Sequence, residues 1–177
     1  MTTPFSTTPE MGIDVTDTSS VASDNSSIYT PEYTLGARVK LSDGGEAMYI
    51  KAGAAITAGD CLLINSNGSA VGITTALCNA DTTTAHQYIG VAHTTLASGQ
   101  HGWACTGGIP TAGISVAASC KKGSPLYTTT NAGVLDDTDT SSHLISGVQI
   151  TTTATSAAVE PGFITTPLLI SGVVNNT

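Results

Sequence analysis

Short apolar stretches, each followed within a few residues by glycine, asparagine or aspartate, recur along the chain from Tyr33 onward. Within them apolar residues often alternate with others, as at Ile114, Val116, Ala118 and Cys120, and a period of two is typical of a half-buried β-strand. No long stretch shows the 3.6-residue period of an amphipathic helix. About ten short strands at spacings of roughly 8–15 residues predict an all-β fold, either a small β-barrel or a sandwich.

Turn residues divide this part of the chain into individual strands and indicate which strands pair. The predicted strands are 35–41, 46–51, 61–65, 70–74, 87–93, 103–106, 114–120, 126–128, 133–135, 144–150 and 167–174. An Asp-Gly-Gly turn at 43–45 predicts a hairpin between the first two, and an Asn-Gly turn at 67–68 predicts one between the next two. Stretch 74–84 fits either one helical turn or a loop.

Charge excludes two classes of partner. Charged residues make up only 10% of the chain, and the formal net charge is −8. All the basic residues lie between positions 38 and 122, and they are Arg38, Lys40, Lys51, Lys121 and Lys122. Because nucleic-acid binding requires a basic patch that displaces counterions from phosphates, we expect no nucleic-acid partner. Anionic membranes are disfavoured for the same reason.

The N-terminus, the lengths of the apolar runs and the cysteine spacing together predict a soluble protein that is used without export. The N-terminus shows neither a basic region nor a 7–15-residue apolar run of the kind found in secretory signals. The longest apolar runs, such as 61–64, are far below the ~18 residues that span a bilayer. The cysteines Cys61, Cys78, Cys105 and Cys120 lack a C-x-x-C spacing. We therefore expect them to be reduced, buried and hydrophobic in character.

Residues 1–30 differ from the rest, so we treat them as an arm and residues 31–177 as the β-domain. Thr, Ser, Pro and Asp dominate the arm, and its apolar residues are isolated. Such a segment cannot bury enough apolar surface alone to offset the cost of ordering it. We therefore predict an extended arm that binds a partner or a neighbouring copy. The candidate contact residues are Phe5, Met11, Ile13, Val15, Ile28 and Tyr29.

Motifs for catalysis and cofactor binding are weak. The stretch Gly113–Ala117 is similar to a nucleophile elbow, but the last glycine is missing and no helix is predicted to follow. The histidines His86, His93, His101 and His143 have no ligand spacing, so a zinc site that combines them with Cys78 is disfavoured. The sequence predicts no catalytic residue, cofactor or metal site, and hence no enzyme.

Residues 136–139 (Asp-Asp-Thr-Asp) superficially match a calcium loop. They lack the glycine and the distal glutamate of a helix–loop–helix site. We interpret them as a solvated acidic turn, with a weak cation site as the alternative.

Five short motifs follow one another between residues 34 and 150. They are A-G-A-A-I-T-A-G-D at 52–60 before the strand at 61–64, I-G-V-A at 89–92, G-S-P-L-Y at 123–127, A-G-V-L at 132–135 and I-S-G-V at 145–148. In this order they resemble the capsid decoration, or cement, proteins of tailed bacteriophages.

The resemblance implies a β-rich protein on the outer surface of the virion, assembled in the host cytoplasm. It would bind the major capsid protein, bridge coat subunits and brace the shell against internal DNA pressure. It would also contact neighbouring copies of itself, with a homotrimer favoured over a dimer. The family has no catalytic residues to carry over, and the arm lies outside the shared motifs.

An alternative is a carbohydrate- or host-binding module of a head fibre or tail tip. Trp103, Tyr88 and Tyr127 would then be exposed and would stack on sugars. A hydrolase is a third alternative and requires a pocket with a nucleophile–base pair.

Overall fold

The computed structural model describes residues 13–19, 29–80, 88–139 and 143–170. These ranges contain twelve strands and one short helix, which confirms the predicted all-β fold. The strands are β1 (Arg38–Lys40), β2 (Glu46–Ala52), β3 (Cys61–Ile64), β4 (Ser69–Gly72), β5 (Tyr88–Ala92), β6 (His101–Gly107), β7 (Ile114–Val116), β8 (Leu126–Thr128), β9 (Leu135–Asp136), β10 (Leu144–Ile150), β11 (Ala158–Glu160) and β12 (Gly162–Ile170). The helix α1 covers Thr75–Ala80. Within these ranges, no helix has the length and apolar character needed to cross a bilayer.

Strands β2, β4, β3, β5 and β6 form a closed five-stranded barrel, in which β2 and β6 pair to complete the ring. Strand β1 pairs with β2 outside this ring. The two predicted hairpins, β1–β2 and β3–β4, are confirmed. Strand β3 is buried along its whole length because both of its faces are covered, which explains its uninterrupted apolar sequence.

The barrel interior is filled by aliphatic side chains and alanines. Its residues are Met48, Ile50, Ala52, Ile56, Leu62, Ile64, Ala70, Ala92, Leu96 and Ala104. Successive side chains of a strand point to opposite faces, so the intervening residues of β3 and β5 face away from the interior. Those outward-facing residues belong to the central core, which lies between the barrel and the second sheet and is described below.

The remaining strands form a second sheet in the order β11-β7-β9-β8-β10-β12. Its outermost strands, β11 and β12, are separated only by Pro161, so the sheet must curl until its two edges approach each other. Gly162 lies at this corner, where an added Cβ would be 2.4 Å from the Gln149 carbonyl oxygen. The corner therefore requires glycine.

The barrel and the second sheet pack face to face around what we call the central core. The barrel side contributes Cys61, Leu63, Ile73, Cys78, Ile89, Val91 and Cys105, and the other side Ile114, Val116, Cys120, Leu126, Leu135, Ile145, Val148, Ile150, Ala154 and Ile164. All four cysteines are buried and none forms a disulfide, as predicted. Burial raises the pKa of Cys61 and of Cys105 to about 12.

The thiols of the folded protein are therefore expected to react slowly. Because the thiolate is the nucleophile, the raised pKa alone should slow modification of Cys61 and Cys105 at pH 8 on the order of 1,000-fold relative to a free thiol. Reaction with a disulfide reagent, followed with and without guanidinium, measures this difference. A thiol that reacts rapidly in the native protein would contradict the burial seen here.

Several predicted strand boundaries were wrong, and β11 was not predicted. The two largest boundary errors have identifiable causes. Strand β7 ends at Val116 rather than Cys120 because the chain turns at Ser119, which has a φ of 66°. The last strand begins at Gly162 rather than at Pro167, since its first residues pair with β10. Its predicted end, beyond residue 170, lies outside the described residues. The single helical turn allowed between 74 and 84 is present as α1.

Candidate functional site

Residues 13–19, which we call the strap, lie on the outer face of the barrel, in a cluster separate from the central core. Val15 is completely buried there. It belongs to a small cluster, the strap cluster, which also contains Leu41, Ala47, Tyr49 and Trp103 and is flanked by Ile13, Leu35, Ala37 and Val39. Full burial of a valine contributes about 1.5–3 kcal/mol, so this contact attaches the strap to the barrel.

Ser19 fastens the other end of the strap to the beginning of β6. Its backbone N–H donates to the His101 carbonyl oxygen at 3.0 Å. Its Oγ accepts the His101 backbone N–H at 2.8 Å and lies 3.3 Å from His101 Nδ1. The side-chain amide of Gln100 donates to the Ser19 carbonyl oxygen at 3.0 Å. The strap is thus bonded to a segment that is 82 residues away in the sequence.

A local turn at Asp14 explains how an acidic, polar segment can bury one valine. The Asp14 carboxylate accepts the Thr16 backbone N–H at 2.9 Å and the Thr16 hydroxyl at 2.7 Å. These bonds lower the pKa of Asp14. The Asp17 N–H donates to the Asp14 carbonyl oxygen at 3.1 Å. The turn directs Val15 inward while both acids remain exposed to solvent.

Aromatic rings form the surface beneath and beside the strap. The Tyr49 ring lies 5.0 Å from Trp103 and 5.2 Å from Tyr33, measured between centroids. The His101 ring stacks on Tyr49 at 6.0 Å. The Tyr49 hydroxyl accepts the Glu32 backbone N–H at 3.1 Å, and burial raises the Tyr49 pKa. Such ring pairs stabilise a cluster beyond their buried area, which makes this face of the barrel rigid.

The arm residues singled out from the sequence have different positions. Ile13 and Val15 pack against the protein's own barrel. The ring of Tyr29, which is half-buried, lies beside Gly99. Phe5, Met11 and Ile28 lie outside the described residues. Val15 is therefore engaged within its own chain here, and partner contact by the arm stays a prediction.

The proposed sugar-stacking aromatics are also in different environments. Trp103 is 1% exposed and cannot present its ring to a ligand. Tyr127 is half-buried. Tyr88 is 46% exposed, but the Arg38 guanidinium lies over its ring, 4.7 Å from the centroid. Of the three, Tyr88 is the most exposed.

Three charged side chains form ion pairs between the edge strand β1 and its neighbour β2. Glu46 forms ion pairs with Arg38 at 2.6 Å and with Lys40 at 2.7 Å. The hydrogen bond from Lys40 is the main cause of a lowered Glu46 pKa, and Arg38 adds to it. Charged residues on an edge strand disfavour pairing with a further strand. We therefore do not expect a partner to extend the sheet at β1.

The stretch similar to a nucleophile elbow has a structural role in the described fold. The Ser115 Oγ lies 3.4 Å from Asp60 Oδ1, and Asp60 Oδ2 accepts the Thr57 N–H at 2.8 Å. Burial raises the Asp60 pKa. A serine triad needs an imidazole on the serine hydroxyl, whereas Ser115 is paired with a carboxylate. The pair joins the barrel to the second sheet beside an open cleft of about 570 Å³.

The acidic turn lies against a cysteine, which the sequence did not reveal. Ligand atoms of Cys120, Asp136 and Asp137 lie within 4.8 Å of one another. Asp136 Oδ1 accepts the Asp137 N–H at 2.8 Å, and Asp137 Oδ2 accepts the Lys121 N–H at 3.0 Å. Burial, followed by the two carboxylates, raises the Cys120 pKa to about 11. Asp136 thus bonds within the turn, whereas Asp137 bonds to the backbone of Lys121, next to Cys120, and the Cys120 thiol remains protonated at neutral pH.

No protein-family model, curated protein or solved structure matches this chain. The strap and the strap cluster bring together residues that are far apart in the sequence.

Proposed function

We propose that this protein is a structural decoration, or cement, protein that binds the outer surface of a tailed-phage head and bridges coat-protein subunits. The observation that carries the proposal is the attachment of the N-terminal segment to the barrel through Val15 and Ser19. In this proposal, residues 1–12 act as a tether that begins at the attached strap. The ordered motifs between residues 34 and 150 support the same function.

The tether has the length and composition to contact a neighbouring subunit. Twelve extended residues reach about 40 Å, which is comparable with the width of a small domain. Phe5 and Met11 supply apolar contacts, and serine and threonine predominate among the polar residues around them. Because many copies bind a symmetric lattice, each contact can be weak while the assembly remains stable. The partners are the major capsid protein and adjacent copies, with a homotrimer favoured.

The charge distribution suits a position outside a DNA-filled shell. The net charge of −8 repels DNA, and the small polar side chains that replace most charges cost little to desolvate. A surface of this kind can pack closely against coat subunits.

Removal of residues 1–12 is expected to weaken binding to coat-protein shells by at least about tenfold without unfolding the β-domain. The strap, which this truncation keeps, still covers Trp103. Sedimentation of the protein with undecorated shells measures occupancy, and circular dichroism checks the fold. In the full chain, Phe5→Ser combined with Met11→Ser should have a similar effect, whereas the matched control Thr7→Ser with Thr8→Ser should bind normally.

Two different failures can be distinguished. Unchanged occupancy after removal of residues 1–12 would exclude the tether but not decoration itself. Failure of the intact protein to bind shells would overturn the proposed function.

A second candidate is a carbohydrate- or host-binding module, and the exposed ring of Tyr88 is the observation that favours it. Binding of the isolated protein to a glycan array, lost on Tyr88→Ala, would support this function over decoration.

A further inference from the structure

His93 follows β5 and lies beneath the connection formed by residues 108–113. Its side chain is only 3% exposed. Nδ1 lies 3.0 Å from the Thr111 hydroxyl and 3.4 Å from the Thr111 backbone nitrogen. These contacts join the end of a barrel strand to the connection.

The Thr111 contacts identify the tautomer of His93. A backbone N–H can only donate, so Nδ1 presents its lone pair to Thr111 and the ring hydrogen is on Nε2. Nε2 is buried and has no hydrogen-bond partner among the described residues. A buried imidazole with one bonded acceptor and one unpaired donor is stable only in its neutral form.

Few charges are available to stabilise a protonated ring. In the described part of the chain, Asp43, from the turn between β1 and β2, is the charged group that acts on His93. Its attraction is outweighed by burial, which lowers the His93 pKa to about 4. The connection itself contributes the uncharged Thr111 to this environment.

The 108–113 connection is the covalent link through which the chain passes from the sheet that forms the barrel (β1–β6) to the second-sheet strands β7–β12. The backbones of Gly108 and Ile164 exchange two hydrogen bonds of 2.8 Å. The Gly113 N–H closes a turn by donating to the Pro110 carbonyl oxygen at 3.1 Å. Ile109, on the outer surface, is 58% exposed. His93 is thus a side-chain bond between this link and the barrel.

We propose that His93 is an acid-sensitive latch, in which protonation of Nδ1 displaces the Thr111 N–H and releases the 108–113 connection from the barrel. A solvent proton occupies the Nδ1 lone pair, so that two donors face each other. The Thr111 N–H then needs another acceptor, which water supplies once the connection opens. The barrel keeps its own hydrogen bonds throughout.

The direction of the effect follows from linkage. The closed form resists protonation until about pH 4, whereas a solvated imidazole titrates near 6.5. Closure is therefore favoured above pH 6.5 and is lost progressively as the pH falls towards 4. The open-to-closed ratio should rise about 20-fold at pH 5 and about 120-fold at pH 4, relative to pH 7.

Amide hydrogen exchange of the full-length protein tests this latch. After correction for intrinsic rates, the exchange rate of peptides that cover 108–113 should rise as the pH falls from 7 to 4, by the same factors as the open-to-closed ratio. His93→Asn places an amide oxygen near the position of Nδ1 but cannot be protonated, so it should abolish the rise. His143→Asn, a matched change at another buried histidine, should retain it.

Three outcomes would overturn the latch. The first is an exchange rate of 108–113 in the wild type that does not change between pH 7 and pH 4. The second is a rise in this rate in His93→Asn that equals the rise in the wild type. The third is a parallel rise in β2 and β3, because that would indicate global unfolding. If His93→Asn does not fold, a nuclear magnetic resonance titration of the wild type decides. The His93 ring should titrate below pH 5, and titration near 6.5 would overturn the proposal.

Discussion

Replacement of Trp103 by alanine is expected to lower the free energy of unfolding by ~3–5 kcal/mol and to loosen the strap. The indole is 1% exposed and packs against Tyr49 and Val15 in the strap cluster. Its removal leaves a cavity that rigid aromatic neighbours cannot readily fill. Urea unfolding measures the loss, and it must be followed by far-ultraviolet circular dichroism because the chain has one tryptophan.

Tyr88→Ala is the matched control for this prediction. Tyr88 also lies on a barrel strand but is 46% exposed, so its truncation should cost less than about 1 kcal/mol. Equal losses in the two variants would show that Trp103 does not anchor the outer face of the barrel.

Replacement of Gly133 by alanine is expected to destabilise the protein by about 3–4 kcal/mol. Gly133 has a φ of 76°, and an added Cβ would lie 2.5 Å from both Cβ and Cγ of Asp60. The glycine cannot easily move, because both of its backbone groups are hydrogen-bonded. Its carbonyl oxygen accepts the Cys61 N–H at 2.8 Å, and its N–H donates to the Ile73 carbonyl oxygen at 3.0 Å. Thermal unfolding measures the effect.

Gly123→Ala separates backbone strain from steric collision. Gly123 has a similar φ of 72°, but an added Cβ would meet nothing within 4 Å. Its replacement should cost only the left-handed strain of about 1–2 kcal/mol. If Gly133→Ala were no more destabilising than Gly123→Ala, the close contact with Asp60 would be wrong.

Local features of the fold could be predicted from the sequence. The hairpin that pairs Arg38 with Met48 follows from one short turn with alternating residues on either side. The pairing of Leu62 with Gly72 follows from the Asn-Gly turn at 67–68 in the same way. In both cases the information lies within about ten residues, where turn chemistry determines the register.

The division of the strands between two sheets could not be predicted. Closure of the barrel pairs Tyr49 with Trp103, and the parallel contact of Val116 with Leu135 orders the second sheet. Such pairings depend on which distant strands bury the most surface together, and no local signal records that choice. The contact of Cys120 with the acidic turn was missed for the same reason.

The strap was identified only in part. Its apolar residues were singled out because they are isolated in a polar segment, but isolation does not indicate which surface covers them. The sequence suggested a partner, whereas Val15 is buried against its own barrel. Ser19 carries no distinguishing signal, being one of many serines in the arm. Its role depends on His101, which becomes its neighbour only in the folded chain.

The composition of the strap cluster has a consequence for the order of folding. The cluster combines Tyr49 of β2 with Trp103 of β6, and these strands meet only when the barrel closes. The strap therefore has no complete surface to bind until the most non-local pairing is made, and such pairings form slowly. Docking of the strap is thus a late event, and the strap, which is synthesised before the barrel, reaches its native position after the barrel has closed.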